Sequence, residues 1–235
     1  MAGAPADKAA RLVAPDEALA VLGPPPRFVG RGGEKVDAAL ERFPIAVEGC
    51  DALDAGASTG GFTDALLQRG AGRVVAVDVG HGQLDARLRA DPRVVVRERT
   101  NVRDLTVEAI GGHVDLVVAD LSFISLATVL PALTACASPE ADIVPMVKPQ
   151  FEVGRGLVGA GGVVADPRLR ADAVLAVANR ARTLNWHTVG VIASPLPGPS
   201  GNVEYFLWLR AHCDAPLQDE LLAGAVRRAV EEGPQ

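Results

Sequence analysis

The stretch DALDAGASTGGFTDALLQRG, residues 51–70, decides the fold. Its first six residues form a short apolar run that ends in glycine, which is typical of a buried strand. The following residues place Phe62, Leu66 and Leu67 on one helical face before Gly70 ends the helix. A strand, a glycine-rich turn and a helix in this order predict the first unit of an open α/β sheet. In such sheets ligands bind beyond the carboxyl ends of the strands.

The alternation of strands and helices continues along the chain. RVVAVD, RVVVRE, VDLVVAD and DIVPMV are strand-like, and they are interleaved with helical patterns such as GQLDARLRAD and SLATVLPALTAC. Nearly continuous apolar strands of this kind are typical of a parallel sheet covered on both faces. HTVGVIAS and NVEYFLWLR are joined only by PLPGPSG, which is too short for a helix and predicts an antiparallel hairpin. We therefore expect a Rossmann-like α/β fold with a seven-stranded, mostly parallel sheet, a C-terminal antiparallel hairpin and helices on both faces.

The chain divides into three parts by composition. Residues 1–22 hold short strand-like pieces, and residues 23–33, GPPPRFVGRGG, predict a stiff, turn-rich linker. Residues 34–235 form the α/β domain, which opens with the helical pattern EKVDAALERF and closes with a surface helix in PLQDELLAGAVRRAVEEG. Within this domain, EVGRGLVGAGGVVADP has no periodicity and predicts a long functional loop.

Composition limits the classes of function. With 235 residues, of which 49% are hydrophobic, the chain is long enough for one large globular domain. The net charge of −6 argues against a broadly basic surface, so a nucleic-acid site must be a local patch. The three cysteines stand far apart, unlike those of zinc sites and redox dithiols. No secretory signal or uninterrupted membrane span is visible, and we expect a cytoplasmic monomer that binds no metal and no membrane.

The glycine-rich turn LDAGASTGGFTD predicts a ligand site. We expect Gly56, Gly60 and Gly61 to leave room for a ligand against the backbone, although these glycines could also serve only to tighten the turn. Their spacing is not the G-x-G-x-x-G of dinucleotide enzymes, and a P-loop lysine is missing. Asp78 ends the second strand, where a carboxylate can accept both hydroxyls of a ribose. A ligand with an adenosyl ribose but no pyrophosphate fits both features, and S-adenosylmethionine is such a ligand.

Polar side chains also follow the next three strands. Asn101 and Asp104 come after the third strand, where each could either contact adenine or cap a helix. Asp120 ends the fourth strand and Lys148 ends the fifth, and we expect the two to lie within reach because adjacent parallel strands end at the same edge of a sheet. Pro149 cannot donate a backbone hydrogen bond, which predicts that QFEVGRG leaves the sheet as a loop.

Three further residues have a plain structural interpretation. Glu204 lies early in an apolar, aromatic strand, and on its own it is best interpreted as a solvated position on an edge strand. Phe123 and Phe151 could stack on an RNA base or line the cofactor pocket, but core packing is the expected role of each.

Five motifs together resemble one family. Over about residues 27–210, the chain is similar to the FtsJ-like ribosomal RNA 2'-O-ribose methyltransferases of the TlyA type, also called the hemolysin A family. The motifs that carry this resemblance are GRGGEK, DAGASTGGFTD, VADLSFISL, MVKPQFEVGRG and SPLPGPSGNVEYFLWL. The resemblance implies the class I S-adenosylmethionine-dependent methyltransferase fold. It implies ribosomal RNA or ribosomal subunits as substrate, with a cytidine ribose as the target. Family members usually begin with a complete S-four-type RNA-binding domain, of which residues 1–22 resemble only the last part.

The resemblance also implies a four-residue catalytic set, and in this chain its positions hold Lys35, Asp120, Lys148 and Glu204. Methylation of a hydroxyl requires a base, and our hypothesis is that Lys148 is that base. Burial and the second cation favour a neutral lysine, whereas the carboxylate of Asp120 favours the ammonium. Asp120 would orient the base and face the sulfonium, and Lys35 and Glu204 would hold the ribose and the lysine network. The expected cofactor-binding residues are Asp54, Gly56, Ala57, Ser58, Thr59, Gly60, Gly61, Phe62, Asp78, Val79, Asn101, Val102 and Asp120.

Five arginines border the expected site, and as a group they could contact RNA phosphates, although for each one alone a solvated surface position is the expected role. They are Arg27, Arg31, Arg155, Arg168 and Arg170.

Three other classes of protein explain the sequence less well: a nicotinamide-dependent oxidoreductase, a membrane-active hemolysin-like protein and a non-catalytic RNA-binding protein. The first lacks its glycine motif, the second lacks a cationic amphipathic segment, and the third leaves the catalytic set unexplained.

Overall fold

A computed structural model describes residues 12–14, 17 and 26–234 of the chain. Within these residues, seven strands form a sheet in the order β3-β2-β1-β4-β5-β7-β6. The strands are β1 (Asp51–Ala55), β2 (Arg73–Val77), β3 (Val94–Arg97), β4 (Val114–Ala119), β5 (Ala137–Val147), β6 (His187–Ala193) and β7 (Tyr205–Arg210). β1 to β5 run parallel to one another, and β7 is antiparallel to both β5 and β6. The predicted seven-stranded sheet with its C-terminal hairpin is confirmed.

Helices cover both faces of this sheet, as predicted. They are α1 (Arg31–Arg42), α2 (Gly61–Gln68), α3 (Ala86–Ala90), α4 (Val107–Ile110), α5 (Leu126–Cys136), α6 (Pro149–Glu152), α7 (Pro167–Arg182) and α8 (Asp219–Glu232). One hydrophobic core packs the sheet against α1, α2 and α3, and the other packs it against α4, α5, α7 and α8. Alternation along β1 shows the principle, because Ala52 faces the first core while Leu53 and Ala55 face the second.

The predicted linker, residues 23–33, is too long at its C-terminal end. Helix α1 already begins at Arg31, and Phe28 is buried in the first core. A side chain on Gly33 would collide with the Phe28 ring, so this part of the chain is packed onto the domain. Most of residues 1–22 lie outside the described residues, and the remnant of an RNA-binding domain stays a prediction.

Two predicted elements differ in extent from the structure. The second predicted helix, in GQLDARLRAD, contains only the five residues of α3, because Asp85 caps it by accepting from the Arg87 backbone N–H. QFEVGRG was expected to leave the sheet as a loop, but α6 extends from Pro149 to Glu152 before the loop begins. Proline suits the first position of a helix because that position needs no backbone donor. No helix among the described residues is long and apolar enough to cross a membrane.

Candidate active site

The four residues of the predicted catalytic set meet at one edge of the sheet. Asp120 directly follows β4 and Lys148 directly follows β5, so both stand at the carboxyl ends of parallel strands. Glu204 directly precedes β7, which is antiparallel and therefore begins at the same edge. Lys35 reaches this edge from the second turn of α1. Topology thus gathers four ionisable groups from distant parts of the chain.

Lys148 and Asp120 form the first of two ion pairs. The Lys148 Nζ lies 2.5 Å from the Asp120 Oδ1, and it donates a hydrogen bond of 3.1 Å to the Ser122 hydroxyl. The side chains are 11% and 23% exposed, so the pair is partly shielded but open to a substrate. The predicted proximity of the two strand ends is confirmed.

Lys35 and Glu204 form the second pair, which is buried. The Lys35 Nζ lies 2.5 Å from the Glu204 Oε2, and the side chains are 7% and 1% exposed. The interpretation of Glu204 as a solvated edge-strand residue is therefore wrong. The strand after it, β7, lies between β5 and β6 inside the sheet, so a charge at its start needs a partner.

The loop between β6 and β7 packs directly on this buried pair. A side chain on Gly198 would come within 2.7 Å of the Glu204 Oε1. The Arg31 guanidinium donates a 2.6 Å hydrogen bond to the carbonyl of Pro197, which ties the loop to the start of α1. The position of Glu204 therefore depends on the exact path of this loop.

The glycine-rich turn after β1 lies beside the ion pairs, but its glycines do not share one role. Gly56 has a φ of +93° and sits so close to Asp120 that a side chain would collide with the Asp120 carbonyl. A side chain on Gly60 would collide with Leu88, and one on Gly61 would lie 2.9 Å from the Gly33 backbone nitrogen. All three positions thus allow close internal packing, but Gly56 and Gly61 also line cavities at the site, whereas Gly60 lines neither of the two. The expectation that all three glycines leave space for a ligand is therefore corrected for Gly60.

A cavity of about 450 Å³ opens at the carboxyl ends of β1, β2 and β4. It is lined by Gly56, Ser58, Asp78, Val79, Gln83, Asn101, Val102, Asp120, Leu121, Ser122, Phe123, Ile124 and Val129. Seven of these are predicted cofactor residues. Gln83, Val129 and the segment 121–124, apart from Phe123, were missed. Gln83 and Val129 lie in segments that were predicted as helices, and a sequence cannot show which side chains of a helix or loop turn toward a cavity.

A smaller cavity of about 160 Å³ shares three of these lining residues. It is lined by Gly30, Arg31, Gly32, Gly56, Ala57, Ser58, Thr59, Gly61, Phe62 and Asp120. The predicted residues Ala57, Thr59, Gly61 and Phe62 therefore border this second space. The ring of Phe62 is itself buried and packs 6.2 Å from the Phe206 ring, so its side chain mainly supports the wall.

Two predicted ligand residues already make hydrogen bonds to the backbone. The Asp78 carboxylate accepts from the N–H of Ser58 at 2.8 Å and from that of Gly80 at 2.6 Å, which fixes its direction. The Asn101 side-chain oxygen accepts from the Arg103 N–H, so this residue does cap a short 3₁₀ turn. The amide nitrogen of Asn101 and the second lone pair of its oxygen are left for a ligand. Asp104 lies in that turn and does not line the cavity.

Asp54 is a buried carboxyl group next to this site. It is 0% exposed; its Oδ2 accepts a 2.7 Å hydrogen bond from the Thr63 hydroxyl, and its Oδ1 has no partner among the described residues. Burial raises the pKa of Asp54 to about 7, and the charges of Asp120 and Asp78 add to this effect. The group therefore titrates near neutral pH.

Phe123 is not a core residue. It is 92% exposed at the mouth of the larger cavity and has a φ of +64°, a conformation that bulky residues rarely adopt. Its ring lies 5.3 Å from that of Phe151, which is half-buried. The expectation of core packing is wrong for Phe123, because the two rings form an aromatic surface beside the site.

Two of the predicted RNA-binding arginines lie at the start of the domain. The Arg27 side chain is 64% exposed and pairs with Asp37 at 2.6 Å. Arg31 is exposed and lines the smaller cavity while it binds the Pro197 carbonyl. Arg31 thus lies near Asp120, with which it lines the smaller cavity, whereas the guanidinium of Arg27 forms an ion pair with Asp37.

The other predicted arginines flank the long loop before α7. Arg168 is exposed in the first turn of α7. Arg170 is half-buried, and its guanidinium is near the Tyr205 hydroxyl, where its charge opposes the burial that raises the pKa of Tyr205. Arg170 is therefore partly turned away from solvent. The side chain of Arg155 lies outside the described part of the structure.

A family model described as FtsJ-like methyltransferase matches residues 28–211. The chain belongs to the FtsJ-like methyltransferase family. Within it, the chain is 67% identical over 233 residues to the 16S/23S rRNA (cytidine-2'-O)-methyltransferase TlyA of Mycobacterium tuberculosis, covering 99% of this chain and 87% of that protein. It is 40% identical over 180 residues to Hemolysin A of Brachyspira hyodysenteriae, covering 76% and 75% of the two chains. The TlyA-type resemblance is confirmed.

Solved structures agree with this assignment of the FtsJ-like chain. A protein from Streptococcus thermophilus, described as a candidate hemolysin, superposes with a TM-score of 0.82 at 38% identity over 90% of this chain and 77% of that one. A more distant N-methyltransferase from Bradyrhizobium japonicum, at 14% identity and a TM-score of 0.55, shares the fold over 77% of this chain and 98% of that one. The fold and family imply a methyl donor of the S-adenosylmethionine type.

Proposed function

We propose that this protein transfers a methyl group from S-adenosylmethionine to a ribose 2'-hydroxyl of ribosomal RNA. The observation that carries this proposal is the Lys148–Asp120 pair, which is 2.5 Å long and borders the 450 Å³ cavity. Its acid lines the cavity, while its lysine stands at the next strand end. A base is thus placed where a methyl donor and a hydroxyl can meet.

The cavity fits the proposed cofactor. Asp78 offers a fixed carboxylate for ribose hydroxyls, and Val79 and Val102 offer apolar surface for an adenine ring. The negative charge of Asp120 suits a sulfonium. When bound, S-adenosylmethionine supplies an activated methyl group to the hydroxyl oxygen.

The residues of the chain supply the proton chemistry. A lysine acts as a base only in its neutral form; in that form Lys148 accepts the proton of the 2'-hydroxyl as the oxygen attacks the methyl group, and it releases this proton to solvent after the transfer. Asp120 and the Ser122 hydroxyl hold the amine in one direction. The buried Lys35–Glu204 pair lies at the same edge of the sheet, and its proposed role is to position the ribose.

The proposed substrate is a cytidine of the small- or large-subunit RNA, since that activity is in the name of the M. tuberculosis relative. Among the five predicted arginines, Arg31 and Arg168 are exposed and form no ion pair in the described structure, and they are the proposed phosphate contacts; the exposed Phe123 ring is the proposed platform for a base. Ribosomal RNA as a partner places the protein in the cytoplasm.

Single-turnover methylation of ribosomal subunits tests the proposal, with the modified nucleotide mapped afterwards. The Lys148→Ala variant should lose at least about a hundredfold in rate, because general-base catalysis contributes on the order of 10²–10⁴. Its affinity for S-adenosylmethionine, measured by calorimetry, should be close to that of the wild type. A Lys148→Ala variant with near-normal single-turnover rate, or a wild-type protein that methylates no ribosomal RNA, would contradict the proposal.

A further inference from the structure

Asn202 is a buried side chain that connects two loops at the site. It is 2% exposed and stands two residues before Glu204. Its side-chain oxygen accepts a 3.0 Å hydrogen bond from the Val164 N–H, and its amide nitrogen donates a 2.8 Å hydrogen bond to the Gly162 carbonyl. A backbone N–H only donates and a carbonyl only accepts, so these partners fix the orientation of the amide.

One of the connected segments is the glycine-rich loop, residues 153–166. It follows α6, which in turn follows Lys148, and it ends at the cap of α7. Gly161 and Gly162 have φ values of +73° and +78°, and most of the loop is exposed, whereas Val164 is buried. Backbone hydrogen bonds inside the loop join Gly154 to Leu157 and Gly159 to both Gly162 and Val163, whereas the two bonds to Asn202 tie the loop to the hairpin.

The other segment is the hairpin loop, residues 194–204, which carries Glu204. The carbonyl of Asn202 accepts a 2.8 Å hydrogen bond from the Gly198 N–H. Gly198 in turn packs against the Glu204 carboxylate so closely that a side chain there would lie 2.7 Å from it. The side chain of Asn202 therefore contacts the glycine-rich loop, and its backbone carbonyl contacts Gly198, which packs against Glu204.

We propose that Asn202 is a positioning residue that joins the glycine-rich loop and the hairpin loop into one RNA-facing wall beside the Lys35–Glu204 pair. This inference rests on the proposed function, because the wall matters for a substrate that extends beyond one nucleotide. Without the side chain of Asn202 the glycine-rich loop separates from the hairpin loop, and the RNA strand loses one side of its binding surface. The cofactor cavity does not include Asn202 or either of its loop partners.

The Asn202→Ala variant removes both bonds, and Asn202→Asp keeps only the one from the Val164 N–H. A matched control is Ser194→Ala, because Ser194 is also buried in the hairpin loop, but its hydroxyl bonds only to the backbone of Leu196 among the described residues; its backbone bond to the Glu204 carbonyl is kept in the variant. Steady-state methylation should show a KM for ribosomal RNA about tenfold or more higher in Asn202→Ala, intermediate in Asn202→Asp and unchanged in Ser194→Ala. The Kd for S-adenosylmethionine should stay the same in all three.

Hydrogen exchange measures the anchor directly. The Val164 amide should exchange at least about tenfold faster in Asn202→Ala than in the wild type, with Asn202→Asp close to the wild type, because that variant keeps the acceptor. If the Val164 amide is equally protected in Asn202→Ala, or if Ser194→Ala raises the KM for RNA as much, the inference is wrong. A wild-type protein without methylation activity would instead refute the proposed function, and the exchange experiment would still decide whether Asn202 anchors the loop.

Discussion

Lys35 and Glu204 stand 169 residues apart in the chain and form a buried ion pair of 2.5 Å. The pair joins the first helix of the domain to the start of its last strand. Two charges out of water are costly to hold together, and the same arrangement is often replaced by apolar residues without loss of stability. Because the pair lies at the same edge of the sheet as Lys148 and Asp120, we expect it to serve substrate binding more than stability.

Removing one partner of this pair should lower the free energy of unfolding more than replacing both partners with apolar residues. Glu204→Ala leaves a buried ammonium without a counter-charge and should lower the free energy of unfolding by about 3–5 kcal/mol. The double variant Lys35→Met/Glu204→Leu should recover most of that loss in urea unfolding, yet remain inactive. A double variant as unstable as Glu204→Ala would show that the pair itself stabilises the fold.

Asp54 should make stability depend on pH. Its pKa is raised from 3.8 to about 7 in the folded chain, so the folded state holds a proton that the unfolded state has already lost between these pH values. Stability should therefore fall as the pH rises through this window, and the unfavourable contribution is complete above pH 7. Asp54→Asn removes the titration and should gain a few kcal/mol relative to the wild type between about pH 4 and pH 8.

Urea unfolding at several pH values measures this difference. Asp214→Asn is the control, because Asp214 is an exposed carboxylate, and its stability should differ from that of the wild type by a constant amount. A difference between Asp54→Asn and the wild type that does not change with pH would contradict the assignment of Asp54.

The order of strands and helices and the Lys148–Asp120 ion pair could be predicted from the sequence. Asp120 and Lys148 each follow a strand whose last residues are apolar, and parallel strands end at the same edge, so their contact could be predicted from local patterns. Glu204 could not be placed in this way. Its burial depends on the insertion of β7 between β5 and β6, which is a long-range pairing.

The roles of two glycines and of the exposed Phe123 could not be predicted from local sequence patterns either. Gly60 and Gly61 lie in the turn between a strand and a helix, where ligands often bind, but whether a glycine faces a ligand or a neighbouring helix depends on where α1 and α3 pack. The core role expected of Phe123 followed from its apolar side chain alone. Its positive φ, which turns the ring outward, has no signal in the sequence.

Gly198→Ala tests how finely Glu204 is placed. The new methyl group would lie 2.7 Å from the Glu204 Oε1, so either the carboxylate or the hairpin loop must shift. We expect methylation to fall by about tenfold or more while the cofactor affinity is kept. The control is Gly154→Ala in the glycine-rich loop, because no atom lies within 4 Å of a side chain added there. Equal activities of the two variants would show that the loop adapts without cost.

Phe123→Ala tests the aromatic surface at the cavity mouth. The side chain is 92% exposed, so its removal should change the melting temperature little. Stacking of a base on an aromatic ring contributes about 1–3 kcal/mol, so the KM for ribosomal RNA should rise by roughly five- to a hundredfold. The control is Leu221→Ala on α8, a residue that is 69% exposed and does not line the cavity. If the Phe123→Ala and Leu221→Ala variants bind RNA equally well, Phe123 does not contact the substrate. Its ring would then serve only to pack against Phe151.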